Sequence, residues 1–251
     1  MNVAPINLKV ALFSAAVLGF RHGFDYDHIA AISDIASVQS SPRATMRLGM
    51  AYAVGHAITV AALGSAAIVF QLALPPGLDR IAERLVGFTL IVLGFYVLGS
   101  LVWGGKDHLP HSRFMLLTRA AYWLHWKTRR LLGMETGDQP KQWSGGYDTR
   151  SVVFIGVIHG LGAETPSQLM IFFLAANLGG TSRGFLGLAM FLAGLLAMNA
   201  LTTASAAGLF GLTDRIIQLR RTAAVVVALY SLAVGILFLL GSSDLLPPLS
   251  G

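Results

Sequence analysis

Arg21-His22-Gly23-Phe24-Asp25-Tyr26-Asp27-His28 places six ionisable side chains in a stretch whose flanks are apolar enough for membrane helix. Ionisable groups are expensive in hydrocarbon, so those kept there point by default to function. The residue types narrow the chemistry. Two imidazoles beside two carboxylates, with no sulfur, suit a borderline divalent cation such as nickel, cobalt, zinc or manganese, and suit cuprous copper poorly. At about 100° per residue, His22, Asp25 and His28 form an i, i+3, i+6 stripe that a continuous helix can turn toward one cavity. Asp27 lies about 140° round from His22, so it joins the same ion only if the helix is distorted, which Gly19 and Gly23 make cheap. Arg21 is one turn from Asp25 and can pair with it.

Two further segments carry matching polar positions. His56 follows Gly55, with Thr59 nearby on the same helical stretch. His159-Gly160-Leu161-Gly162-Ala163-Glu164-Thr165-Pro166 sets a histidine and an acid beside a proline that cannot donate to the Gly162 carbonyl. A helix broken in this way is tolerated in a membrane where the freed carbonyl meets protein, water or an ion. The two polar segments also match each other: Gly19, His22, Gly23 and Asp27 correspond to Gly156, His159, Gly160 and Glu164 at an offset of 137. The next segments continue at 138, with Gly49-Met50-Ala51 against Gly187-Leu188-Ala189.

These groups need elements to hold them. Hydrophobic residues make up 55% of the 251-residue chain and charged residues 12%, a balance that excludes an ordinary soluble domain and predicts an all-α polytopic membrane bundle. The absence of cysteine excludes disulfides, thiolate metal sites and iron–sulfur clusters. Apolar runs long enough to span the bilayer give about six transmembrane helices: Leu8 to Val38, Ala44 to Ala73, Leu78 to Trp103, Ser151 to Leu178, Arg183 to Leu212 and Arg220 to Leu240. No small-x-small cleavage site precedes the charged cluster, so the first run is expected to be a mature helix. Three helices per half, in matching halves, predict two inverted repeats. The expected organisation is an N-terminal half over 1–103, a basic cytoplasmic loop over 104–150 and a C-terminal half over 151–251.

The net charge of +6 does not read as nucleic-acid binding, because the basic residues lie between apolar runs. Lys9, Arg80, Arg84 and Arg183 fall on one side; Arg43, Arg47, the basic residues of 104–150, Arg215, Arg220 and Arg221 fall on the other. The richer side is expected to be cytoplasmic, which places both termini outside the inner membrane. Within the loop, Arg113 to Met134 interleaves aromatic, leucine and basic residues as an interfacial helix does. Asp107, His108, His111 and His125 are a weaker candidate for metal gathering at the cytoplasmic mouth.

Arg21-His22-Gly23-Phe24-Asp25-Tyr26-Asp27-His28-Ile29-Ala30-Ala31-Ile32 resembles the His-x4-Asp-His signature of the nickel/cobalt transporter family. Gly55-His56 resembles that family's Leu-Gly-His-Ser element, and Leu161-Gly162-Ala163-Glu164-Thr165 is similar to its third acidic motif. The resemblance implies metal-binding roles for His22, Asp27 and His28, with Asp25 and His56 in support. Members usually have eight helices, one of them before the signature. The later acidic motif would fall near residues 197–205, where Asn199, Thr202 and Ser205 stand instead of carboxylates. A six-helix layout with Phe154-Ile155-Gly156-Val157-Ile158-His159-Gly160 is more similar to the smaller nickel permeases that resemble urease accessory membrane proteins, and a metalloenzyme maturation system is then the expected partner.

The expected activity is therefore membrane transport of nickel or cobalt, in the uptake direction, with no enzymatic step and no resident cofactor. The ion would shed water onto His22, Asp25, Asp27 and His28, with His56, His159 and Glu164 closing the site. Two other classes place histidines in membrane helices. An intramembrane metalloprotease would need a His-Glu-x-x-His pair, and Glu164 follows His159 by five residues. A b-type haem carrier would pair His22 or His28 with His56 or His159, but haem iron is poorly served by adjacent carboxylates.

Overall fold

A computed structural model describes residues 8–39, 41–70, 78–103, 147–161, 180–213, 216–242 and 245–246. Among these residues the chain is helical without strands: α1 (Leu8–His22), α2 (Tyr26–Ser37), α3 (Pro42–Phe70), α4 (Leu78–Trp103), α5 (Thr149–Leu161), α6 (Thr181–Thr213) and α7 (Ile217–Leu239). Four of them, α3, α4, α6 and α7, are long and apolar enough to cross a membrane. Phe13, Phe88, Phe95, Phe154, Leu201 and Val226 each leave more than half their surface exposed. A soluble protein rarely leaves so much large apolar surface uncovered, whereas a bilayer covers it. The chain is a multi-pass helical membrane protein. Glu164, Pro166 and nearly all of the 104–150 loop, including Arg113 to Met134 and its histidines, lie outside the described residues.

The first apolar run, expected as one helix from Leu8 to Val38, is two. The end of α1 tightens into short turns, with the Phe24 amide donating to Arg21 and the Asp25 amide to His22. Asp25 is extended at φ −68°, ψ 157° and starts α2. Its carboxylate makes no cap hydrogen bond to the new helix, because it is engaged by His22. Gly23 allows the turn to sit against α6: a Cβ there would lie 2.8 Å from the Met198 Cβ and 3.0 Å from the Leu195 carbonyl oxygen. The i, i+3, i+6 stripe is therefore not what joins His22 to His28; the break is.

At about 1.5 Å per residue α2 spans about 18 Å, too little to cross a bilayer. Most of it is buried, from Asp27 and His28 through Ile32, Asp34 and Ile35 to Ser37, and it packs against α3, α4, α6 and α7. Ser41 caps α3 by accepting from the Ala44 amide at 3.2 Å, with Pro42 at the first helical position. Lipid offers no hydrophobic drive between helices, so close van der Waals approach must hold the bundle.

That approach occurs at glycines, and it recurs. Gly19 of α1 lies against the backbone carbonyl of Phe191, and Gly156 of α5 against that of Tyr52. Gly194 of α6 meets the carbonyl of Ala16, while Gly55 of α3 meets that of Val153. Gly160 lies against Thr59 and the His56 carbonyl, as Gly23 lies against Met198 and that of Leu195. Each α1 position is followed 137 residues later by its α5 counterpart, and each α3 position 139 later by its α6 counterpart. The sequence match of Gly49 with Gly187 suggests 138 for the second pair; a one-residue slip is easy in helices rich in glycine and alanine, and packing discriminates where identity does not.

Candidate metal centre

Three imidazoles meet where α1 breaks into α2. His22 ends α1, His28 lies in the first turns of α2, and His56 is midway along α3; all three are buried. One ring nitrogen from each lies within 4.8 Å of the others, the described group best arranged to hold a metal ion. Ring centroids are 4.4 Å apart for His28 and His56, 4.9 Å for His22 and His28, and 5.4 Å for His22 and His56. His22 Nε2 and His56 Nε2 are separated by 3.3 Å. Ligands with bonds of about 2.0–2.1 Å in tetrahedral geometry stand about 3.3 Å apart, so this spacing already fits a shared cation.

The partners of these rings set their tautomers. His22 Nδ1 lies 2.8 Å from Asp25 Oδ2, and a carboxylate accepts, so Nδ1 carries the proton and Nε2 presents its lone pair. His28 Nδ1 donates to Asn199 Oδ1 at 3.1 Å, leaving Nε2 as an acceptor with no hydrogen-bond partner among the described residues. His56 Nδ1 likewise has none. The Nδ1 contacts of His22 and His28 are of the kind by which a metal-binding histidine almost always anchors its other nitrogen, orienting the ring and raising its basicity. Gly55 and Gly160 let α3 and α5 close tightly behind His56.

The remaining expected residues fall around this group. Asp25 touches the centre through His22 and its side chain is 43% exposed. Asp27 is buried and acts electrostatically on Tyr52, His159 and Tyr230 rather than lying within the three-histidine group. His159 is buried with both nitrogens occupied, by the Tyr52 hydroxyl at 2.9 Å and the Thr89 hydroxyl at 2.6 Å. Tyr52 in turn packs edge-on against His28, with centroids 5.9 Å apart. Glu164 is outside the described residues. Sequence reasoning did not find Tyr52, Thr89 or Phe191; Asn199 stood out only as an amide where an acid was expected. Phe191 stacks on His22 at 5.9 Å and gives that ring an apolar floor.

The donor set is one of buried imidazole nitrogens with carboxylate and amide oxygens close by. A haem would need room for a macrocycle between two rings, which the 3.3 Å contact of His22 with His56 and the 4.4 Å centroid spacing of His28 and His56 do not leave, and both nitrogens of His159 are already hydrogen-bonded. Small divalent cations fit the spacing.

Comparison with known proteins gives one distant likeness. The urease accessory protein UreH of Bacillus sp. (strain TB-90) is 26% identical over 166 residues, which cover 66% of this chain and 63% of that protein. The match thus spans less than two thirds of the relative's length. No family model matches the chain, and no solved structure does.

Proposed function

We propose that the protein is a permease carrying a divalent transition-metal cation, nickel in the first instance, into the cytoplasm. The observation that carries this reading is the convergence of His22, His28 and His56 at a helix break buried within the helical bundle. Such a break, walled by other helices, is the usual setting for ion sites in secondary transporters. The likeness to a urease accessory protein supports nickel over cobalt and supports a metalloenzyme maturation system as the destination. The recurring glycine contacts of α1 with α6 and α5 with α3 support the inverted repeat, with the site at the junction between its halves.

Mechanistically, the entering cation exchanges water for imidazole nitrogen. With His22 protonated on Nδ1, the short contact between the two Nε2 atoms is bridged by a proton on His56. A cation entering between them replaces that proton, which passes to the unpartnered Nδ1 of His56 or leaves. Asp25 and Asn199 hold the rings of His22 and His28 in the ligating tautomers. Asp27 supplies nearby negative charge to offset the arriving double charge. Mixed nitrogen and oxygen donors exchange faster than a closed thiolate cage, as release requires. An inward-negative potential favours entry by about 2.3 kcal/mol per charge per 100 mV, so no ATP is needed in principle. Ligating imidazole must be neutral and protons compete with the cation for its nitrogen, so uptake falls as the medium is acidified.

Flux of radiolabelled nickel into proteoliposomes tests the reading. Native protein should transport it, and His22→Ala and His56→Ala should each abolish transport while the protein remains folded. Native-level flux in both variants, or none in the parent under an imposed potential, would sink the proposal.

A further inference from the structure

Two rings of the centre are anchored, but not alike. His22 Nδ1 donates to a carboxylate, Asp25 Oδ2, at 2.8 Å, whereas His28 Nδ1 donates to an amide, Asn199 Oδ1, at 3.1 Å. Asn199 lies midway along α6 and is fully buried. Its backbone is well held. The Thr203 hydroxyl donates to the Asn199 main-chain carbonyl at 2.7 Å, and Thr203 is seated against Gly49 of α3, where a Cβ would run into the threonine side chain. The amide nitrogen is different: Nδ2 has no hydrogen-bond partner among the described residues.

A buried amide with an unused donor costs stability, so hydrogen bonding within the bundle does not by itself account for asparagine here. Aspartate has the same shape and could accept from His28 Nδ1 with either oxygen. It differs in two respects that a bound cation would feel. A carboxylate would put a full negative charge behind the ligating ring, raising its basicity and attracting the doubly charged ion. It would also support a single tautomer of His28, with Nδ1 protonated and Nε2 open to metal, because an ionised carboxylate only accepts. An amide accepts through oxygen and donates through nitrogen. With Nδ2 otherwise unengaged, the Asn199 amide can turn over without breaking a second hydrogen bond. Turned over, it supports the other tautomer, whose Nε2 proton faces the centre and prevents ligation.

We propose that Asn199 limits how tightly the centre holds its cation, as a neutral and reversible anchor on His28 set against the carboxylate anchor on His22. It is a positioning residue: it acts on the ion through the His28 ring. The benefit of a limit rests on the transport reading above, since a carrier must release what it captures. His22, backed by Asp25, favours capture, and His28, backed by an amide, permits release.

Nickel binding to the full-length protein in lipid nanodiscs, followed by calorimetry, and nickel flux in proteoliposomes test this together. Asn199→Asp should tighten nickel binding by about tenfold and lower both the half-saturating concentration and the maximal flux by a similar factor. Asn199→Ala should move the other way, weakening binding by about 10–100-fold and raising the half-saturating concentration in step. A residue that only packs α6 against α2 would shift both variants toward weaker binding, and that result overturns the proposal. An added buried charge can prevent folding, and the exchange Asp25→Asn/Asn199→Asp covers that case because it keeps the native number of carboxylates. The exchange should recover most of the nickel affinity that Asp25→Asn alone loses; no recovery overturns the proposal as well. If the affinities rank as expected while the parent carries no nickel under an imposed potential, the transport reading falls and the affinity-limiting role of Asn199 stands.

Discussion

His22 ends α1 against Phe191 of α6, and His159 lies on α5 against Tyr52 of α3, in two helix pairs whose glycine contacts correspond position by position. Around His159 both ring nitrogens are satisfied by hydroxyls, from Tyr52 and Thr89. Around His22 one nitrogen is held by Asp25 and the other meets the Nε2 of a second imidazole at 3.3 Å. Where Tyr52 sets a hydroxyl beside His159, its counterpart Phe191 sets only a ring face beside His22. The same helix packing thus sets one histidine between two hydroxyls and the other against a second imidazole. What separates the candidate cation centre from the hydroxyl-bonded histidine is the chemistry of the facing positions, not the framework.

The largest effect that could break this contrast comes from removing rings. His28→Ala or His56→Ala should lower nickel affinity by more than about 100-fold, beyond the usual loss for an outer partner, whereas His159→Ala should cost no more than about tenfold. Titration calorimetry on purified protein decides between them; equal losses at His56 and His159 would erase the distinction. Next come the groups that orient the open rings. Asn199→Ala and Asp25→Asn should each weaken nickel binding by about 10–100-fold with the helical content retained.

Smaller effects sharpen the framework side of the comparison. A side chain at Gly19 would meet the Phe191 carbonyl and one at Gly156 the Tyr52 carbonyl. Gly19→Ala and Gly156→Ala should therefore each destabilise the bundle by about 1–3 kcal/mol, by similar amounts, in denaturant unfolding from mixed micelles. A large loss at one glycine and none at the other would show that the two pairs are not equivalent. The smallest change expected is at Tyr52→Phe, which removes the hydroxyl bonded to His159 and should cost about 0.5–1.5 kcal/mol of stability while leaving nickel affinity in place.

Much of the helical layout and three of the clustered residues could be read directly from the chain. Spans such as Leu78 to Trp103 follow from length and polarity, and His22, His28 and His56 stand out because imidazole is rare in apolar helix. The break before Asp25 was only half legible. Gly23 permits it, but nothing local forbids a continuous helix; the tight seat on Leu195 and Met198, more than 170 residues away, is what turns the chain. Asn199 showed only as an amide where an acid was expected and Thr89 carried no signal, since an amide or hydroxyl in an apolar helix acquires meaning only from the ring it meets.

Nickel X-ray absorption on the loaded protein tests the central claim most directly, because backscattering from imidazole rings counts histidine ligands. The account predicts a shell containing three imidazoles, reduced by one in His56→Ala and unaltered in His159→Ala. A shell of oxygen alone, or one insensitive to His22, His28 and His56 alike, would contradict it.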